Sequence, residues 1–246
     1  MDRMLYVAMT GARETMRAQT ANNHNLANAS TTGFKADLQA FQARQVVGDG
    51  YASRVYATAS STGFDDSVGA LMSTGRDLDV AVQGKGYIAV QGFDGREAYT
   101  RAGDLRVDVQ GQLRTGTGLA VMGDGGPISV PPNASLLVGG DGTISIVPLG
   151  QGPETRAVVG RIKLVNPTAD QLTKDSDGLF RMKDGSDAPA DAGTRLASGV
   201  LETSNVGVAD AMVNMIELSR RFDLQVRAMK TAEDNGAASA RLLSMG

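Results

Sequence analysis

Proline is confined to the middle of the chain, and this confinement limits where long helices can form. All seven prolines lie between Pro127 and Pro189, and glycine is also dense in the middle and sparse toward both ends. Proline is costly inside a helix and glycine moderately so. The two ends can therefore be helical, whereas the middle cannot be mostly helical.

Both ends carry residues at alternating spacings of four and three, which is the heptad pattern of a coiled coil; the C-terminal run extends over about five heptads. A helix from about residue 206 to 243 would be roughly 55 Å long, more than is usual in a globular protein. We therefore predict coiled-coil-like terminal helices, and Gly236 is the candidate interruption of the second one. The predicted seam consists of Leu5, Met9, Met16, Val208, Met212, Met215, Phe222, Val226, Met229 and Leu243.

The middle of the chain alternates apolar and polar residues, as half-buried β-strands do. In DLDVAVQGKGYIAVQG, Leu78, Val80 and Val82 share one face, and the apolar run YIAV follows a Gly-Lys-Gly turn. Asp-Gly pairs begin at positions 94, 124, 141, 177 and 184. Such pairs favour hairpin turns between antiparallel strands.

The predicted fold class is α+β, with terminal α-helices that flank a β-rich antiparallel central domain. We expect four segments along the chain. These are an N-terminal helix (1–34), an extended linker with weak strands (35–75), the β-rich central domain (76–203) and a C-terminal coiled-coil-like helix (204–246).

The residue inventory argues against several classes of function. The chain has no cysteine, which excludes a thiol nucleophile, a thiolate metal site and a disulfide framework. Its only histidine, His24, has no Ser or Asp at a spacing diagnostic of catalysis. The net charge of -3, without a long run of one sign, argues against a nucleic-acid surface. No stretch approaches the ~20 apolar residues of a membrane span.

We therefore predict a protein that is not an enzyme, has no cofactor and does not insert into a membrane. Two short loops, DSDG (Asp175–Gly178) and GDGG (Gly123–Gly126), resemble pieces of calcium-binding loops. They lack the distal glutamate and the flanking helices of an EF-hand, so they predict an adventitious calcium site at most.

An amide-rich segment ends the first predicted helix. Four asparagines lie between Asn22 and Asn28, and the segment continues into Thr-Thr-Gly-Phe-Lys. A buried asparagine on a helix seam costs stability but selects register and oligomeric state, so Asn23 and its neighbours are candidates for this role. Asn28 and Ser30 are candidate caps, and Gly33 allows the positive φ with which helices often end.

The segment NNHNLANASTTGFKAD resembles the N-terminal signature of the flagellar basal-body rod protein family, which also includes hook proteins. In that signature, asparagines and a Leu-Ala-Asn motif precede Thr-Thr-Gly-Phe followed by a basic residue, and His24 is a small departure from it. The matching residues are Asn23, Leu26, Ala27, Asn28, Thr32, Gly33, Phe34 and Lys35.

Other stretches resemble the central and C-terminal signatures of the same family. These are DLDVAVQGKGYIAVQ, YTRAGDLRVDVQGQLRT and SGVLETSNVGVADAMVNMI. Three separated motifs in the same order make the resemblance specific and extend it over nearly the whole chain. Within the family, the chain is most similar to the proximal rod proteins, and a distal rod protein is the alternative. An alternative from another class, a trimeric β and coiled-coil surface adhesin, should carry a signal peptide.

The resemblance implies a structural subunit of the periplasmic rod, the shaft that transmits torque from the flagellar motor to the hook. It implies export without a cleaved signal peptide through the flagellar type III export apparatus. The implied partners are the inner proximal rod and distal rod subunits, and the terminal helices would pack with those neighbours. Phe34, Leu38 and Phe41 match an aromatic-hydrophobic export element, although packing against the β-domain is an equally open interpretation.

Overall fold

The computed structural model describes residues 3–45, 55–152 and 154–244, and it has the α+β class predicted from the sequence. Two long α-helices occupy the ends of the chain: α1 (Arg3–Ala27) and α2 (Val208–Ser244). A short 3-10 helix spans Ala169–Gln171. Neither α1 nor α2, as far as they are described, is long and apolar enough to cross a membrane.

The remaining elements are strands, and every pair with a described register is antiparallel. In chain order they are β1 (Asp37–Gln45), β2 (Val55–Phe64), β3 (Leu71–Ser73), β4 (Val80–Gln83), β5 (Tyr87–Gln91), β6 (Glu97–Thr100), β7 (Leu105–Val107), β8 (Leu113–Thr115), β9 (Met122–Gly123), β10 (Gly126–Pro127), β11 (Asn133–Val138), β12 (Thr143–Pro148), β13 (Ala157–Arg161), β14 (Leu164–Val165), β15 (Leu172–Lys174), β16 (Phe180–Met182), β17 (Arg195–Ser198) and β18 (Val200–Glu202).

The chain divides into two compact units, each built from separate stretches of sequence. The helical unit comprises Met1–Ala27, Asp37–Gly63 and Val206–Gly246, and it contains α1, α2 and the paired strands β1 and β2. The β unit comprises Asn28–Ala36 and Phe64–Asn205. The chain therefore passes between the two units four times.

The stretch that was expected to be a linker with weak strands contains long ones. Strands β1 and β2 have nine and ten residues and pair with each other. Their composition explains why the sequence pattern was weak, since small and hydroxylated residues such as those of VYATASSTG alternate little in hydrophobicity.

Small side chains bring α1 close to α2 within the helical unit. The buried residues of α1 include Ala8, Ala12 and Ala18, which lie on one face, and Gly11 lies between them. A Cβ on Gly11 would lie only 2.9 Å from the side-chain amide of Gln225. Close approach of the two helices, rather than interlocking of large side chains, therefore characterises this contact. Among the described side chains of α2, those of Ala211, Leu218 and Ala232 are buried.

The predicted seam falls only partly on this contact. Met215, Phe222 and Met229 of α2 are half-buried, as is Leu5 of α1, while the Leu243 side chain lies outside the described residues. The other seam residues are exposed within this chain: Met9, Met16, Val208, Met212 and Val226. A seam that includes them requires contacts between chains and stays a prediction. Helix α2 continues through Gly236, so the expected interruption there does not occur.

The core of the β unit lies on both sides of β5. Ile88 and Val90 point into the larger apolar cluster, while Tyr87 and Ala89 point into a smaller one that contains Phe64 and other aromatic rings. Burial on both faces explains the unbroken apolar run YIAV, since a strand covered on both faces has no polar side. β5 lies within a five-stranded sheet of order β14-β5-β6-β16-β15.

Asp-Gly turns connect several neighbouring strands, as the sequence predicted. Gly95, Gly142 and Gly178 have positive φ and lie between β5 and β6, β11 and β12, and β15 and β16. These three hairpin predictions are confirmed.

Candidate functional site

Residues 28–36 lead from α1 into the β unit, and they are fastened there by backbone contacts. Helix α1 ends at Ala27, and the turn after it is closed by the Thr31 N–H, which donates to the Asn28 carbonyl at 3.1 Å. The expectation that Gly33 ends the helix is wrong, since Gly33 lies six residues beyond it.

Gly33 instead allows two backbones to approach each other. Its φ is +67°, its N–H donates to the Glu202 carbonyl at 2.8 Å, and a Cβ there would lie 2.3 Å from the backbone carbon of Arg101. A residue with a side chain does not fit at this position. The signature glycine is therefore explained by the neighbouring backbone of Arg101 and Glu202 in the β unit.

Lys35, the last residue of the N-terminal signature, places its ammonium group inside the β unit. Its side chain has no exposed surface. Nζ donates to Glu202 Oε1 at 2.8 Å and to the Ser67 carbonyl at 2.6 Å. The signature lysine is thus a buried ion-pair partner rather than a surface charge.

Arg101, which directly follows β6, reaches the same carboxylate. Its Nη1 donates to Glu202 Oε2 at 2.6 Å, and its Nη2 donates to the Gly84 carbonyl at 2.5 Å. The guanidinium carbon lies 5.4 Å from the centroid of the Tyr87 ring. Like Lys35, the Arg101 side chain is wholly buried.

Glu202 therefore holds two cations with one carboxylate. Its Oε1 also accepts the Gly69 N–H at 2.9 Å. We name Lys35, Arg101 and Glu202 the ionic centre. Charge-assisted hydrogen bonds of this length are strong, and removing one member of a buried set leaves the others without compensation.

Burial alone would raise the pKa of Glu202, but hydrogen bonds from Lys35, Gly69 and Arg101 lower the pKa overall. Burial lowers the pKa of Lys35, against the opposing effect of the Glu202 carboxylate. Both shifts follow from the same arrangement, in which a single buried anion is shared by two buried cations.

Asn205 binds the three chain segments that meet beside the ionic centre. Its Oδ1 accepts the Ala36 N–H at 2.8 Å, and its Nδ2 donates to the carbonyls of Asp65 and Ser67 at 2.9 and 3.1 Å. The Asn205 N–H donates to the Phe34 carbonyl at 3.3 Å. One amide thus joins the segments around residues 35, 66 and 205, where the chain enters and leaves the β unit.

Phe34 lies beside this junction. It is buried, and the Lys174 ammonium lies 3.9 Å from its ring centroid. Lys174 Nζ also donates to the Lys35 carbonyl at 2.7 Å. The cation–π contact and the hydrogen bond together hold the Phe-Lys pair against β15.

The amide cluster that precedes the junction acts on backbone groups of the helical unit. Asn22 Nδ2 donates to the Ala211 carbonyl of α2 at 2.8 Å. Asn25 makes two bonds to the backbone of Asp37, as donor to its carbonyl at 2.9 Å and acceptor of its N–H at 2.8 Å. His24 Nδ1 lies 2.6 Å from Asp37 Oδ2. Asn22, a neighbour of the exposed Asn23, thus makes a hydrogen bond between the two helices.

The other residues predicted from the signature are more peripheral. Leu26 and Thr32 are half-buried and Ala27 is exposed. Leu38 and Phe41 of the export candidate are exposed on β1, and the Arg221 guanidinium lies 6.0 Å from the Phe41 ring centroid. Phe34 is buried in the β unit, apart from the exposed pair. The export role of the three stays a prediction.

The DSDG loop, which resembled a calcium loop, forms the hairpin turn between β15 and β16. Asp175 and Asp177 pair there with Arg181, at 2.6 and 2.8 Å. Their carboxylates thus already have a cationic partner. Within the described ranges, no group of three or more His, Asp or Glu residues could hold a metal ion.

Sequence reasoning missed the roles of Arg101, Glu202 and Asn205, although all three lie in stretches that it singled out. Each stretch, YTRAGDL and GVLETSN, places charged or amide residues next to a short strand. A charge at a strand end usually faces solvent, and their separation along the chain concealed that the Arg101 and Glu202 side chains meet.

Comparison with known protein families matches two regions of the chain, the central one and the C-terminal one. Residues 81–146 match the family described as flagellar hook protein FlgE/F/G D1 domain, and residues 197–242 match the family described as flagellar basal body rod FlgEFG protein C-terminal. Arg101 lies in the first match and Glu202 in the second.

Full-length relatives extend this similarity over the whole chain. The flagellar basal-body rod proteins FlgF of Salmonella typhimurium and Escherichia coli are each 43% identical over 251 residues, covering 100% of both chains. The flagellar basal-body rod protein FlgG of Bacillus subtilis is 33% identical over 255 residues, covering 94% of this chain and 96% of its own. The resemblance of the signatures is thus confirmed, and the chain belongs to the flagellar basal-body rod protein family.

Proposed function

We propose that the chain is a structural subunit of the proximal rod of the bacterial flagellum. It assembles with other rod proteins into the periplasmic shaft that transmits torque from motor to hook. The observation that carries this proposal is the 43% identity to FlgF proteins along their full length. The chain acts by binding neighbours and bearing load, without catalysis or a cofactor.

The ionic centre suits a load-bearing role. Force that passes along the chain enters the β unit through residues 28–36, 64–70 and 199–205, because these segments are covalently continuous with the helical unit. Lys35, Glu202 and Asn205 tie those segments to one another and to Arg101, which directly follows β6. Short charge-assisted bonds that are closed to water resist displacement better than contacts of a solvated loop.

The exposed apolar residues of the helices are the proposed assembly surface. Met9 and Met16 of α1 are 51% and 56% exposed, and Met212, Val213 and Ile216 of α2 are similarly uncovered. Large exposed apolar patches mark sites of protein association. We propose that coiled-coil-like packing with neighbouring rod subunits buries them.

The proposed partners are the inner proximal rod proteins, the distal rod protein and the flagellar type III export apparatus. Export would proceed without a cleaved signal peptide and place the chain in the periplasmic part of the basal body. Leu38 and Phe41 are exposed on β1 and so are accessible to an export factor in the folded chain as well. Phe34 would be available only before the β unit folds.

A strain that lacks the gene tests the proposal directly. We expect it to be non-motile, to regain motility with the wild-type gene, and to yield basal bodies that contain the chain. Met9→Glu combined with Met16→Glu should be secreted but absent from basal bodies, because two charges would oppose burial of the helix surface. Val109→Glu is the matched control, since Val109 is 95% exposed on a turn of the β unit. Motility without the gene would contradict the proposal.

A distal rod subunit is the second candidate, favoured by the 33% identity to FlgG of Bacillus subtilis over most of both chains. The two candidates differ in which deletion the gene complements. Restoration of motility to a strain that lacks FlgG, and not to one that lacks FlgF, would favour the distal position.

A further inference from the structure

Methionine supplies all the sulfur in this chain, and it is distributed unevenly. The sequence has eleven methionines and no cysteine. Met9, Met16 and Met212 of the two helices are 51%, 56% and 51% exposed. Met122 and Met182 of the β unit instead pack against its aromatic core cluster. Met72 of β3 is also 52% exposed. Oxidants in solution therefore reach the exposed thioethers of the helices, and that of Met72, before those of Met122 and Met182.

We propose that Met9, Met16 and Met212 make the assembly surface sensitive to peroxide, so that oxidation of the free subunit prevents its incorporation into the rod. This inference rests on the proposed function, because it needs the helix surface to be the one that neighbours cover. The site belongs to the unassembled subunit, since burial against neighbours would shield the same sulfur atoms.

The positions of these methionines make their polarity matter. Met9 and Met16 are seven residues apart, which places them on the same face of α1. Tyr6 is exposed on the same helix, and Met212 lies beside the exposed Val208 and Ile216 of α2. Met9 and Met212 therefore lie among exposed apolar side chains, and Met16 lies on the same helix face as Met9. A change of polarity there would weaken the packing of any partner against the helices.

The chemistry is an oxygen transfer from a hydroperoxide. The methionine sulfur uses a lone pair to attack one peroxide oxygen; a sulfur–oxygen bond forms and the oxygen–oxygen bond breaks. The departing hydroxide takes the proton of the transferred hydroxyl group, which leaves the sulfoxide and one water molecule. Sulfur loses two electrons, and hydrogen peroxide gains the same two electrons. The product, methionine sulfoxide, is a polar hydrogen-bond acceptor, and it is costly to bury without a donor. Sulfoxide reductases reverse the step.

Peptide mass spectrometry of the purified full-length chain tests the selectivity. During a time course in hydrogen peroxide, we expect sulfoxide to accumulate several-fold faster at Met9, Met16 and Met212 than at Met122 and Met182. Equal rates at the two sets would overturn the proposal. This measurement needs no variant and does not depend on the proposed function.

Motility tests the consequence. Cells that lack methionine sulfoxide reductases and carry either the wild-type gene or the M9L/M16L/M212L variant are exposed to sublethal hydrogen peroxide while new flagella form. Each loss of motile cells is expressed relative to the same strain without peroxide. We expect a several-fold loss with the wild-type gene and a much smaller loss with the variant, because leucine keeps the apolar volume but has no sulfur.

The M122L/M182L variant is the matched control, since it removes the same chemistry from the β unit, and it should lose as much motility as the wild type. An equal loss in the helix variant and the wild type would overturn the proposal. The two proposals also fail differently. If the untreated wild-type gene does not restore motility, the rod function fails; if it does, and only the protection is missing, the oxidation proposal alone fails.

Discussion

Glu202 is central to the stability of the β unit, because it is the anion shared by two buried cations. Glu202→Gln keeps the shape of the side chain but leaves Lys35 and Arg101 without a counter-charge. Breaking a buried pair in this way costs about 3–5 kcal/mol. We expect a loss of this size in the free energy of urea unfolding. Glu217→Gln is the control, since Glu217 is exposed on α2, 3.8 Å from Arg221, and its loss should be within about 0.5 kcal/mol.

The Glu202 carboxylate also determines how the difference in unfolding free energy between the wild type and Glu202→Gln varies with pH. The folded pKa of Glu202 is lowered below its ordinary value of 4.5. A group with a lowered folded pKa contributes stability above its unfolded pKa and loses that contribution as the pH falls through the folded pKa. The gap between wild type and Glu202→Gln should therefore be constant near neutrality and shrink below about pH 4.5. A gap that widens in acid would contradict the assignment.

Gly33 and Gly75 both have a positive φ, but they differ in how much space surrounds them. Their φ angles are +67° and +71°, but an added Cβ meets the Arg101 backbone at 2.3 Å only at Gly33, and it meets nothing within 4 Å at Gly75. Gly75→Ala should cost about 1–2 kcal/mol from backbone strain alone. Gly33→Ala should cost clearly more, because the backbones at residues 33 and 101 must also separate. Equal losses in thermal denaturation would show that close approach is unimportant.

The ionic centre shows which individual residues the sequence could predict and which it could not. The signature identified Gly33 and Lys35 but not their partners, because a single sequence holds no information on which of its many charges are buried together. Glu202 lies 167 residues from Lys35 and 101 from Arg101. No spacing rule extends over such distances, so the pairing follows only from the fold.

At the scale of elements, the terminal helices were predictable and the face that joins them was not. The heptad pattern predicted a seam of large apolar residues that included Met9 and Met16, and both are exposed. The helix contact within the chain is formed by the small residues Ala8, Gly11 and Ala12. Such residues contribute little to a pattern of hydrophobicity along the sequence. Small residues let the backbones approach, so the larger residues remain for surfaces between chains.

Helix α2 should be unevenly stable along its length in the free subunit. From Ala211 to Ala232 it has side chains packed against other parts of the helical unit, whereas every described side chain from Glu233 onward is exposed. Helical stability in water comes mainly from packing of one face. Hydrogen exchange of dilute, monomeric chain should therefore show protection between 211 and 232 and fast exchange beyond 233. Uniform protection to the end of the helix would contradict this expectation.

At the scale of the whole molecule, the discontinuous make-up of the units was the main feature beyond sequence reasoning. Contiguous segments were expected, yet the β unit takes residues 28–36 from the N-terminal signature and the helical unit takes the paired strands β1 and β2. Local patterns predict elements, but they do not reveal that a short extended segment returns to a distant strand. The α+β class was still predicted correctly, because fold class depends only on the types of secondary-structure element and not on which segments pack together.

That long-range closure leads to a prediction about folding order. Joining residue 35 to residue 202 closes a loop of 167 residues, and long loops carry an entropic cost before their contacts contribute stability. The strands β11, β12 and β13 pair with sequence neighbours instead. We therefore expect the local strands to form first and the ionic centre to form last, after β18 has joined β3.

Folding kinetics of two full-chain variants distinguish early from late contacts. Lys35→Met should speed unfolding and leave the folding rate nearly unchanged, because the lost interaction is absent from the transition state. Ile146→Ala, in the buried face of β12, should slow folding as well, since truncation there costs about 2–5 kcal/mol in a sheet that forms early. Both rates are measured by stopped-flow tyrosine fluorescence across a range of urea concentrations. If Lys35→Met instead slows folding in proportion to its loss of stability, the ionic centre is part of the nucleus and the proposed order is reversed.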